Sequence, residues 1–180
     1  MPGKTIGKEL NHGFAGSFAR MPDMIIDTHP LNDPDGTNPA FFGDPLIFAT
    51  DGSVSRADAT LTADNFAGVA GKEIKSQLNY LDQNEGGKYT NMEAVSVMKR
   101  GPISVLVANG TPVLGGPVYV RIALNPSIPT SYIGSFDAVA DVDTSGTADV
   151  DLNVLLPNCV WITGKDTNGI AELLIRTRNI

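Results

Sequence analysis

The sequence predicts an all-β protein: a compact antiparallel β-barrel or sandwich-like domain carrying an extended, irregular N-terminal arm. Three observations predict it. First, Val95–Ile122 holds three apolar, β-branched runs separated by Lys99-Arg100-Gly101-Pro102, Asn109-Gly110-Thr111-Pro112 and Gly115-Gly116-Pro117. Each run is too short for a helix, and each stop is turn chemistry, because Gly supplies positive φ while Pro fixes φ and withholds a ladder donor. Second, further short apolar runs are spaced about 8–12 residues apart, as in sandwiches and barrels. Third, residues 1–45 hold six of the twelve prolines and no sustained periodicity beyond Met24-Ile25-Ile26.

The chain therefore divides into an arm, residues 1–45, and a barrel-like domain, residues 46–180. Such a proline-broken arm is not expected to form a sheet or helix of its own. It still carries Phe14, Phe18, Met21, Met24, Ile25, Ile26, Phe41 and Phe42, large apolar groups that disordered tails normally lack. It is expected to gain order by lying on something, either its own domain or a neighbouring subunit.

Within the domain, Leu46–Ala49 reads as a short strand, and Ser53–Asn65 as a loose segment with a short helical turn. Phe66–Ser76 reads as a strand with Gly68 and Gly71 at bulges or close backbone approaches, and Asn84-Glu85-Gly86-Gly87 as a turn. Met92–Met98, Ile103–Ala108 and Val118–Ala123 follow as strands. Alternation places Ile103, Val105 and Val107 on one face, and Val118, Val120 and Ile122 on another. Tyr132–Ala140, Val150–Leu156, Cys159–Thr163 and Ile170–Thr177 complete the set.

Composition narrows the function. A hydrophobic content of 42% suffices for a core, whereas charged residues, at 18%, are sparse for a chain of net charge −7, which suggests that polar surface faces other protein. Lys and Arg are scattered, so a nucleic-acid surface, which needs clustered cations, is not expected. No apolar run reaches the length of about 18 residues that spans a membrane, and the N-terminus lacks a signal-peptide h-region. Synthesis in the cytoplasm as a soluble product is expected. The single cysteine, Cys159, leaves no partner for an intramolecular disulfide and sits in an apolar run, as a buried small hydrophobe would.

Candidate chemistry is thin. Asp141–Asp149 spaces acidic and polar groups around Gly146 as a calcium loop does, but Leu152 occupies the position of the bidentate Glu. Read without calcium, it is an acidic hairpin tip; with Asp137 and Asp151 it forms an acidic run lacking a local cation, able to face a basic partner. Neither a phosphate-binding loop nor a Gly-x-Ser-x-Gly elbow occurs. No catalytic residue, metal ligand or cofactor is assigned. The candidate residues are instead partner-binding: Phe14 and Phe18 as anchors spaced by small residues, Arg20 as a partner for a neighbour's carboxylate, and Met21, Phe41 and Phe42.

Several stretches carry a family resemblance: Phe66-Ala67-Gly68-Val69-Ala70-Gly71-Lys72-Glu73-Ile74-Lys75, Val97-Met98-Lys99-Arg100-Gly101, Gly116-Pro117-Val118-Tyr119-Val120-Arg121, Ile133-Gly134-Ser135-Phe136-Asp137-Ala138, Leu156-Pro157-Asn158-Cys159-Val160-Trp161 and Gly169-Ile170-Ala171-Glu172-Leu173. In these the chain resembles the tailed-phage capsid cement, or decoration, proteins, specifically the structural cement protein family. The resemblance implies a barrel-like domain, assembled as a homotrimer on the capsid exterior near local threefold positions. There it would bind the major capsid protein and lock neighbouring capsomers of an HK97-type shell. It supplies no catalytic residues. Two other readings stay open: another virion component, such as a head fibre or capsid subunit, and a small β-barrel enzyme or carbohydrate-binding module.

Overall fold

A computed structural model describes residues 11–20, 23–73, 87–144 and 149–176. Among these residues the strands run in chain order: β1 (Ile25–Pro30), β2 (Ala40–Phe41), β3 (Pro45–Phe48), β4 (Val54–Arg56), β5 (Phe66–Ala70), β6 (Lys88–Tyr89), β7 (Ala94–Asn109), β8 (Pro117–Arg121), β9 (Phe136–Asp137), β10 (Val142–Asp143), β11 (Val150–Asp151), β12 (Asn153–Trp161) and β13 (Ile170–Ile175). No helix occurs among the described residues.

Five strands close a barrel in the order β13-β12-β8-β9-β7, and β13 pairs back with β7 through Ile170↔Leu106 to Ile175↔Gly101. Closure removes the unpaired edges that invite aggregation. Its interior is the larger core, where Ile103, Val105, Val118, Val120, Trp161, Leu173 and Ile175 are fully buried. The alternation read from the sequence thus holds for β7 and β8, with Ile103, Val105 and Val107 turned inward and Leu106 exposed.

The 16-residue strand β7 is longer than expected. Lys99-Arg100-Gly101-Pro102 does not end a strand; the runs on either side join into one ladder. Gly101 makes this possible by adopting φ 114°, at a point where an added Cβ would stand 2.5 Å from the Asp23 carbonyl oxygen. Beyond that bend the first half of β7 pairs with β1 on one side and β5 on the other, and β5, β3 and β4 continue the sheet. A parallel bridge between Leu31 and Val54 brings the end of β1 back towards β4. A second core fills this half, built from Leu31, Leu46, Val54, Ala67, Tyr89, Val95 and Val97.

Other expectations shift in detail. Strand β1 forms inside the proline-rich region, where only a brief apolar run stood out. Ser53–Asn65 holds β4 and turns rather than a helical turn, and Tyr132–Ala140 contributes just the two-residue β9. Val154 to Trp161 is continuous strand through Pro157, with the register slipping between Leu155 and Val160. Gly68 does lie at a close approach, its φ of 147° bringing the β5 backbone against the Met98 carbonyl. The ends of two expected strands, Ile74–Ser76 and Thr177, and most of the Asn84–Gly87 turn lie outside the described residues, as do Ser145–Ala148.

The acidic run has a cation after all. Arg121 on β8 is fully buried, with Nη2 2.7 Å from Asp137 Oδ2 and Nη1 2.7 Å from Asp141 Oδ2. Asn153 Nδ2 donates to Asp137 Oδ2 at 3.2 Å, and Asn125 Nδ2 donates to both Asp141 oxygens at 3.0 Å. A buried guanidinium needs such partners, because an unpaired buried charge is very costly.

Candidate functional site

The site begins with how the arm is held. Its short residues let the backbone lie flat against β7. Gly16 N–H donates to the Ser104 carbonyl at 2.8 Å, Ser104 N–H to the Ser17 carbonyl at 2.9 Å, and Ala19 N–H to the Pro102 carbonyl at 3.1 Å. Lys72 N–H donates to the Gly16 carbonyl at 2.8 Å, tying the arm to the end of β5 as well. Residues 12–20 thus lie on their own domain.

This placement sorts the candidate residues. Phe18 bridges to Ile103, packs against the barrel core and lies over Gly71. Arg20 finds its carboxylate within the chain: its Nε donates to Glu172 Oε2 at 2.8 Å, while Glu172 Oε1 lies 3.4 Å from His12 Nδ1. Met21 lies outside the described residues. Phe14 points away from the body, 70% exposed, with Lys72 Nζ 4.4 Å from its ring centre.

Phe41 and Phe42 join Phe14 from a different element. The turn after β2 leaves Phe41 46% exposed and turns Phe42 partly inward, edge-on to Tyr89 at 5.3 Å. Phe14, Phe41 and Phe42, with Ala15, Lys72 and Gly87, line one open groove of about 390 Å³. A smaller hollow of about 210 Å³ adjoins it, where Phe41 meets Leu106, Tyr132 and Phe136. Three of the six candidates therefore share one surface, one is an anchor beneath the arm, and one holds the arm's end to β13.

Sequence reasoning missed the charged part of this surface. The Arg56 guanidinium lies between two rings, 5.6 Å from the Phe41 centre and 5.1 Å from that of Tyr132. Beneath it, Asp44 Oδ2 sits 2.8 Å from Arg56 Nε and accepts the Phe41 N–H at 3.0 Å. Burial pushes the Asp44 carboxyl up to about 6, against the opposing pull of Arg56 and the Phe41 N–H. Burial likewise raises the Tyr132 phenol, with Asp44 adding to the effect. Leu106 alone had a readable signal, being the large apolar residue between two inward valines on β7.

The arrangement suits docking rather than bond-making. Exposed aromatic rings beside cations bury apolar area and accept acidic or carbonyl groups. Among the described residues, no group of three His, Cys, Asp or Glu side chains could hold a metal. Cys159 is buried, which pushes its thiol up to about 12 and leaves it inert as a nucleophile.

The comparisons with known proteins agree with this picture. The family of structural cement proteins (E217 gp24/Pam3 gp6) matches residues 2–176. The chain belongs to this family. No curated protein matches it significantly. In fold, it is similar to a chain of the solved capsid of Myoviridae phage XM1, with a TM-score of 0.63, 17% identity and 99% of each chain covered. This structural cement protein is thus a component of the virion capsid, with the non-enzymatic structural role that its family implies. Its barrel, arm and absence of helix among the described residues are those of an all-β cement fold.

Proposed function

We propose that this cement protein binds the outer surface of an HK97-type major capsid shell near local threefold positions, as a homotrimer, and stabilises the expanded head by bridging capsomers. The family match across residues 2–176 carries this reading. The aromatic groove of Phe14, Phe41 and Phe42 supports the assembled state in this reading, because rings at the junction of arm and body are costly unless a neighbouring copy or the shell covers them. Phe18 and Arg20 act one step behind, holding the arm so that Phe14 is presented.

Stabilisation follows from linkage. A protein that binds the expanded shell and not its precursor or disassembled subunits lowers the free energy of that state alone. One trimer touching several capsid subunits also adds modest contacts into a strong total. The test mixes purified protein with expanded, undecorated capsids and follows their melting. At about 100 times the dissociation constant, the expected stabilisation is about 2.7 kcal/mol per site, seen as a higher melting temperature. Unchanged melting at saturating protein removes the reading.

A further inference from the structure

The aromatic groove has a counterpart on the same chain. Strands β10 and β11 form a two-stranded ribbon that, among the described residues, joins no other sheet, and Val142, Asp143, Val150 and Asp151 are exposed. An isolated two-residue pairing of this kind is marginal in water and gains from a partner surface. The register puts Val142 opposite Asp151 and Asp143 opposite Val150, so each face of the ribbon offers one apolar and one acidic group.

The groove offers the reverse. Its rings are flanked by Lys72, and Lys88 stands opposite Phe41 in the β2–β6 pair. Among the described residues no carboxylate lines it, in a chain whose net charge is −7. We propose that the groove takes the β10–β11 ribbon of a second copy of this chain, Val142 entering between Phe14 and Phe41 while Asp151, on the same face of the ribbon, meets Lys72.

Groove and ribbon share no residue, so one protomer can give its ribbon and receive another at the same time. That makes the contact heterologous, the type that closes into a ring when the rotation permits. The inference supplies the self-contact that the homotrimer reading above requires, and it rests on that reading for ring size. It assigns the groove to self-assembly and leaves capsid contact to the remaining surface.

Sedimentation of the full-length protein in low salt tests it. The wild type is expected to self-associate, and Lys72→Glu or Asp151→Lys alone to weaken association about tenfold or more, as loss of a central contact does. Lys72→Glu and Asp151→Lys combined in one chain should restore much of it. A second readout guards against misfolding: Phe14→Cys protein mixed with Val142→Cys protein should give a disulfide-linked pair on oxidation, since Cys159 is buried. A wild type that stays monomeric at high concentration overturns the proposal, as does a trimer indifferent to both charge reversals or a mixture that forms no mixed disulfide. Capsid melting separates the two readings, because a monomer that still raises it refutes the ribbon contact and keeps the cement function.

Discussion

At the scale of single residues, the buried charges matter most. Asp44 is held at about 6 in the fold, above its ordinary value of 3.8, chiefly because it is buried. The folded chain therefore binds this proton more tightly than the unfolded chain does. Stability from this group is full below pH 4, falls as pH rises towards 6, and is flat above, a loss of about 3 kcal/mol in all. Asp44→Asn removes the titration while keeping an acceptor for the Phe41 N–H. Relative to wild type, the variant should gain about 2 kcal/mol of unfolding free energy between pH 4 and pH 7. Denaturant titrations at the two pH values check it, and a difference that does not change with pH sinks it. Little of this was legible beforehand. Asp44, just before β3, and Arg56 on β4 are twelve positions apart, and Arg121 meets carboxylates sixteen and twenty positions on. An ion pair that depends on strand register leaves no local spacing to read.

At the scale of elements, strands read well where one face is buried and poorly where the chain bends. Alternation in β7, β8 and β13 survives because each strand contributes one face to the barrel core. The boundary at Gly101-Pro102 misled because the same residues serve a turn or a bend, and the choice is made by Asp23 and Met24 packing against Gly101. Strand β1 escaped notice because its half-exposed residues show no alternation and its order comes from pairing with β7. Gly68 is the sharpest test of such a junction. Its φ of 147° is unfavourable for an L side chain, and an added Cβ runs into the Met98 carbonyl oxygen and the Val97 side chain. Gly68→Ala should cost about 3 kcal/mol or more, because the β5 and β7 backbones must separate. Thermal unfolding measures it; a loss below about 1 kcal/mol shows that the two strands have room to part.

At the scale of the whole molecule, the question is how far the arm belongs to the body. Every strand that closes the barrel lies at or beyond Ala94, so closure does not depend on the first 21 residues. Those residues nevertheless supply Phe18 to the core, cover Ser104, and give Glu172 its Arg20 and His12 partners. Removing residues 1–21 exposes Ser104 and Glu172 to water, so they are solvated rather than stranded, and the main loss is Phe18. The truncated protein should fold with an unfolding free energy lower by about 2 kcal/mol, below the range of about 3–5 kcal/mol for deleting a fully buried aromatic, because Phe18 is partly buried. It should also bind capsids more weakly, because the groove loses the Phe14 wall and with it the self-contact that makes binding multivalent. Denaturant unfolding and capsid co-sedimentation of the same preparation separate the two effects. A truncated chain that cannot fold makes the arm an integral part of the core, whereas one that folds and binds capsids as tightly as the full chain removes the arm from the binding surface.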